Sequence, residues 1–161
     1  MTFRNELFYI TPIENIASIL VHGLLSNEAT AGIQHRSVAM EVVQERRDGV
    51  KVPNGLKLHQ YVNLYFDARN PMMFKRKEQV DKFCVLSIKP EVLNIPGVVI
   101  ADRNASSDYV YFMPSPGGLE EVDFDLVYCE DWRDPDLHRY YIKKSKKCAE
   151  VLVPHALLPE Y

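Results

Sequence analysis

Apolar and polar positions change period several times along the chain, and each change marks an element. Residues 7–11 (LFYIT) are apolar and aromatic and read as a short strand. Pro12 follows at a first helical position, where its fixed φ is favourable. Ile13, Ile16, Ala17, Leu20 and Val21 then recur at i, i+3, i+4, i+7 and i+8, which predicts an amphipathic helix that stops at His22–Gly23. Residues 24–35 have no period and read as a loop. A second helix is predicted over residues 37–47, with Arg36, Met40, Val43 and Arg47 in one stripe, so that Arg47 lies in line with an apolar face.

Pro53, Asn54 and Gly55 form a turn. Residues 61–66 and 83–88 are rich in aromatic and β-branched side chains and predict strands; residues 98–101 and 109–113 predict weaker ones. Residues 115–118 (SPGG) are a turn or mobile loop, residues 136–147 a polar helix, and residues 149–153 a final strand closed by Pro154. The order β, α, α, β, β, β, β is not the alternation of a doubly wound sheet. No GxGxxG or GxxxxGK[ST] motif occurs, which disfavours Rossmann and P-loop scaffolds. The expected fold class is α+β, with a mainly antiparallel, split β-sheet and flanking helices.

The 161 residues fit one domain with one core. No apolar run reaches the roughly 20 residues needed to span a bilayer, and no basic-then-apolar leader opens the chain, so a cytoplasmic monomer is the expectation. Three cysteines without close spacing argue against a disulfide framework and a zinc site, and Cys84 reads as a core residue. Nineteen Lys and Arg stand against 22 Asp and Glu, a net charge of −3, which does not advertise a nucleic-acid binder. The distribution is uneven, however. Basic residues gather at 46–47, 75–77 and 143–147, acids between 120 and 136, so a local basic face remains open.

Four segments carry a resemblance: FYITPIENIASILVHGLL at 8–25, HRSVAMEVVQERR at 35–47, VPNGLKLHQYVNLYFDARNPMMF at 52–74, and CAEVLV at 148–153 after DWRDPDLHRYYIKKSKK. With the D-R element at Asp102–Arg103, their order and spacing resemble the DarT family of DNA-modifying toxins. The resemblance implies an ADP-ribosyltransferase fold that binds NAD as co-substrate in an extended cleft and transfers ADP-ribose to a base in single-stranded DNA. It also implies a macrodomain antitoxin as partner, and no metal. An acceptor in RNA or protein, and an RNA 2′-phosphotransferase-like activity, are the alternatives.

The chemistry can be argued from residues. Breaking a nicotinamide–ribose bond develops positive charge on the ribose, and a carboxylate nearby can stabilise it. Glu150 lies within the apolar run 149–153, where Val151 and Val153 would face one way and Glu150 and Leu152 the other. On position alone the plainer reading is a solvent-facing strand residue; the resemblance instead matches Glu150 to the catalytic glutamate. It matches Arg47 to an NAD-contacting arginine that holds pyrophosphate or helps activate the acceptor. On residues alone, Arg47 reads as a surface arginine near a helix C-terminus.

By the same resemblance Phe8, Tyr9 and Ile10 clamp nicotinamide through the main chain, with Tyr9 where the family usually has His. Ala17 and Leu25 line the cleft, and Phe74 stacks on nicotinamide. Met72 lines a base pocket, and Asn104, Trp132, Lys143 and Lys144 fall in the segment that presents the acceptor. Each of these apolar residues also reads as core. Cys148 stands where the family commonly has Gln, a departure at an acceptor-orienting position.

Overall fold

The computed structural model describes residues 1–30 and 41–161, with the side chains of 41–44 excepted. Its strands are β1 (Leu7–Pro12), β2 (Leu24–Leu25), β3 (Tyr61–Tyr65), β4 (Phe83–Ile88), β5 (Val99–Ala101), β6 (Phe112–Pro114), β7 (Glu150–Pro154) and β8 (Ala156–Leu157). Its helices are α1 (Ile16–His22), α2 (Glu41–Asp48), α3 (Pro71–Phe74), α4 (Phe124–Val127) and α5 (Leu137–Lys146), with short 3₁₀ turns between. Six strands form one antiparallel sheet in the order β4-β1-β3-β7-β5-β6, and β2 pairs with β8 beside it. The α+β expectation holds, with every described pairing antiparallel.

Alternation along the inner strands sorts side chains between two faces. Val62, Leu64 and Phe66 join Val151, Val153 and Ile100 in the larger core cluster. Tyr61, Leu152 and Ala101 join Val52, Leu58 and Ala105 in a smaller cluster on the other face. Glu150 has the parity of Leu152, as its position in the run 149–153 suggests. β7 is central and covered on both faces, so residues 150–153 are all fully buried. Glu150 is therefore not a solvent-facing residue.

The sheet is split where sequence reasoning placed no boundary. β1 and β4 are in register over six pairs, and β3 and β7 over five. Between β1 and β3 only Phe8 and Tyr65 are in register. Beyond that pair the strands diverge, and from Tyr9 to Thr11 β1 stays paired with β4 on one edge while its other edge, no longer paired with β3, borders the gap.

Several expectations are corrected. The helix after Pro12 forms, but its predicted inner stripe points outward: Ile13, Leu20 and Val21 are 52, 70 and 73% exposed, and Ala17 is also exposed. Ile19, on the opposite side, packs on the core instead. Periodicity locates a helix and cannot say which side meets the sheet. Residues 24–25, read as loop, form β2. Leu24 is buried against the partner strand around Leu157. Of the second helix, Arg36 and Met40 lie outside the described residues. Cys84 sits half-exposed on the edge strand β4. Residues 115–118 lead into a 3₁₀ turn, Gly117–Glu121.

Two buried groups fix the ends of the central strands. Lys147, 1% exposed, donates from Nζ to Asp67 Oδ2 at 2.7 Å and to the Val127 carbonyl at 2.7 Å. This ties the approach to β7 to the exit from β3. Cys148 follows it, buried, its thiol pushed up to about 12 by burial first and by the nearby Glu150 charge second.

Two outcomes follow for stability. Gly23 closes α1 at φ +75°, and a Cβ there would lie 2.2 Å from the Leu157 carbonyl oxygen. Gly23→Ala is expected to lower unfolding stability by at least about 2 kcal/mol in urea titrations. Below about pH 9 the Cys148 thiol is neutral in both folded and unfolded chains; above it only the unfolded chain ionises, so stability is lost as pH rises towards 12. Between about pH 8 and about pH 10.5 the wild type is expected to lose about 2 kcal/mol more than Cys148→Ala, measured by urea unfolding at each pH.

Candidate active site

The gap between β1 and β3 opens into a cleft of about 1330 Å³. Its floor alternates out of the sheet: Tyr61, Asn63 and Tyr65 of β3 face it, while Val62 reaches it only at the split. Tyr9, Ile10 and Thr11 form one wall. The C-terminal part of α2 and the segment from Leu25 to Thr30 close one end, and α3 and α5 the other.

Glu150 lies beneath the cleft, 0% exposed and not itself in the lining, opposite Tyr65 on β3 and Ala101 on β5 in the strand register; Tyr65 and Arg47, which flank it, do line the cleft. An unpaired carboxylate there would be costly. Three donor contacts offset the cost. Arg47 Nη1 stands 3.3 Å from Oε1 and 3.1 Å from Oε2, and the Ala105 N–H donates to Oε1 at 3.0 Å. Arg47 is itself 6% exposed, in the last turn of α2. The surface-arginine reading is thus replaced by a buried ion pair across 103 residues of sequence.

The loop that supplies Ala105 is held on both sides. The Asp102 carboxylate accepts from Arg103 Nε at 3.0 Å and Nη2 at 2.8 Å, and from the Tyr111 N–H at 2.9 Å. The Asn104 N–H donates to the Ser145 carbonyl on α5 at 3.0 Å. Tyr65 lines the cleft beside Glu150. Its hydroxyl is held protonated well above the usual tyrosine range, by burial first and then by the Glu150 charge. Burial also raises Tyr9.

The basic clusters seen in the sequence converge. Arg46, Arg47, Lys75, Arg76 and Lys144 line the cleft together with Arg103, against one acid among the described lining residues, Asp108. A chain of net charge −3 therefore carries a cationic cleft.

Of the expected site residues, Tyr9, Ile10, Leu25, Arg47, Met72, Asn104 and Lys144 line the cleft. Met72 is placed by α3, whose N-terminus is capped by the buried Asn70 side chain accepting from the Met72 and Met73 N–H groups at 3.0 and 3.1 Å. Phe8 stands at the split point but not in the lining. Ala17 faces solvent on α1, away from the cleft.

Phe74 ends α3 on the outer side and meets Trp132 edge-on at 5.6 Å. Trp132 is 9% exposed, between that ring and buried Lys147, so it is packed outside the cleft rather than open for stacking. Lys143 is bound to Asp134 at 2.7 Å and does not reach the cleft either. The acids between 123 and 134 neutralise Lys143 and Lys146, leaving Lys144 facing inward. Sequence reasoning missed Tyr65, and also Tyr109, Tyr111 and Tyr141 on the rim. Single tyrosines in strand, loop and helix carry no periodic signal.

The family profile described as DarT, ssDNA thymidine ADP-ribosyltransferase, matches residues 8–161. A DNA ADP-ribosyl transferase of Thermus sp. (strain 2.9) is 30% identical over 169 residues, 96% of this chain and 78% of the relative. A DNA ADP-ribosyl transferase-DNA ADP-ribosyl glycohydrolase fusion protein of Thermosipho africanus (strain H17ap60334) is 30% identical over 166 residues, and the chain spans 40% of its length. Among solved structures, Thermus sp. 2.9 DarT in complex with ADP-ribosylated ssDNA is similar at TM-score 0.84 and 27% identity, over 98% of this chain and 79% of that one. The same protein in complex with NAD+ gives TM-score 0.77 at 25% identity, over 96% and 77%. With its profile matched from the first strand to the last residue, the chain belongs to the DarT family of ssDNA thymidine ADP-ribosyltransferases.

Proposed function

We propose that the chain transfers ADP-ribose from NAD to a thymidine base in single-stranded DNA, with Glu150 as the catalytic carboxylate and Arg47 as its partner. The single observation that carries this reading is the buried Arg47–Glu150 pair, whose arginine lines a cationic cleft directly above the carboxylate, in a chain whose family acts on ssDNA thymidine. The cleft exceeds the roughly 300–1,000 Å³ of an ordinary small-molecule pocket, as a dinucleotide and an acceptor nucleotide together require.

NAD supplies the ADP-ribose: its bond from ribose to nicotinamide breaks and nicotinamide leaves as a neutral molecule, a bond from that ribose carbon to the base forms, and the base gives up one proton to solvent. Glu150 stabilises the positive charge that grows on the ribose, and burial makes that field strong. The Ala105 N–H fixes one carboxylate oxygen. Arg47 covers the carboxylate and spans both of its oxygens, so contact between Glu150 and a ribose requires the guanidinium to turn aside. Arg47, once turned, still presents donors to pyrophosphate or acceptor. The open main chain of Tyr9 to Thr11 suits an amide such as nicotinamide, independently of the side chain at position 9. A base buried in a duplex cannot enter such a cleft without leaving its stack. The Thermosipho fusion joins a transferase to a DNA ADP-ribosyl glycohydrolase. A macrodomain glycohydrolase is accordingly the partner we assign to this chain, as the antitoxin that removes the mark, and a monomer is the state we assign to the transferase domain.

Incubation with labelled NAD and matched single-stranded DNA, duplex DNA, RNA and protein tests the reading. Label is expected on thymidine-containing single strands, and Glu150→Gln is expected to lower transfer by at least about 100-fold while the protein stays folded. Label confined to RNA or protein would overturn the DNA assignment. Arg47→Ala leaves Glu150 buried without its counter-charge, so a stability loss of about 3–5 kcal/mol is expected by urea denaturation alongside the loss of transfer.

A further inference from the structure

Three of the most exposed large side chains among the described residues are tyrosines, and all three line the same cleft. Tyr109, Tyr111 and Tyr141 are 78, 70 and 62% exposed. Solvent-facing rings of this size are neither core nor charge-bearing surface. They also stand on elements that are held firmly to the catalytic carboxylate. Tyr109 and Tyr111 close the loop whose Ala105 N–H holds Glu150, and the Tyr111 main chain is bonded in both directions to Asp102, N–H to carboxylate and carbonyl from N–H. Tyr141 lies on α5, one turn before Ser145, whose carbonyl anchors that loop. Its ring is braced edge-on by Tyr140 at 5.3 Å, under which Lys144 is drawn to 5.2 Å.

We infer that these three tyrosines form a stacking rim for the nucleotides that flank the acceptor base, with Lys144 beside them facing the phosphates. The inference rests on the proposed action on single-stranded DNA and adds the residues that grip the strand. An aromatic face accepts any base, because every base has a π-face. The rim therefore grips flanking nucleotides by their faces and makes binding depend on strand length. Trp132, the other aromatic in the acceptor segment, is enclosed by Phe74 and Lys147 and leaves this role to the tyrosines. Charge complementarity supports a polyanionic occupant over a peptide: six cationic side chains and one acid line the described cleft of an acidic chain, and the excess of cations persists after Glu150 and Asp102 beneath the lining answer Arg47 and Arg103.

The experiment measures binding of fluorescent oligothymidine of about eight nucleotides by anisotropy, and transfer to the same strand. Tyr109→Ala, Tyr111→Ala and Tyr141→Ala should each weaken binding roughly tenfold, raising KM for DNA more than they lower kcat. The Phe variants should stay within about threefold of wild type, since the ring remains. High exposure makes misfolding of these variants improbable, and equal Tm values verify it. Alanine variants that bind like wild type, or Phe variants that fail as badly as Ala, would overturn the stacking rim while transfer by wild type left the functional reading intact. Wild-type protein that neither binds nor modifies a single strand would overturn both.

Discussion

A carboxylate with no exposed surface, in the middle strand of a six-stranded sheet, is tolerable only if other groups answer its charge. Everything around Glu150 serves that condition. Arg47 comes from a helix 103 residues earlier and Ala105 from a loop 45 residues earlier. Either contact alone would leave lone pairs unmet in a medium where isolated charge is expensive. The ladder between β3 and β7, the docking of α2, and the folding of the 102–111 loop are thereby coupled to one side chain. The same burial that makes the pair demanding to assemble strengthens its field on anything admitted to the cleft.

Charge is sorted in two tiers. Close to the sheet, Lys147 is fully enclosed and answered by Asp67, and Arg103 is matched by Asp102. On the outer side of α5, Asp134 and Asp123 take Lys143 and Lys146. Asp67, Asp123 and Asp134 therefore lie where they neutralise lysines outside the cleft. What faces the cleft is the residue of that pairing, an excess of cations. Net charge is thus a poor guide here, whereas the clustering of Lys and Arg along the sequence was a good one.

Strands were legible where β-branched and aromatic residues ran together: 83–88 matches β4 to the residue, and 61–66 differs from β3 by one. The split in the sheet was not, because divergence of β1 from β3 depends on what lies between them, and no local pattern records that. Helix α1 was legible as a helix but not in its facing, since Ile19 offered the sheet a rival apolar side to the one that Ile13, Leu20 and Val21 promised. Glu150 and Arg47 were found through the resemblance, and the structure supplies what their positions alone withheld, namely that the two touch. Trp132 was misjudged for a physical reason: an indole in an otherwise acidic segment looks available, yet Phe74, 58 residues earlier, folds onto it. The tyrosines that do stand open carried no signal, because exposure is a tertiary property.

The open edge of β1 bears on how such a cleft drifts over time. A recognition surface made of main-chain groups does not change when a side chain is replaced, provided the strand stays in register with β4 on its other edge. The side chain at position 9 can then vary in identity while the edge it belongs to stays put. A cleft wall built this way presents the same edge whatever side chains it carries, and the strict demand falls on the few side chains that carry or answer charge.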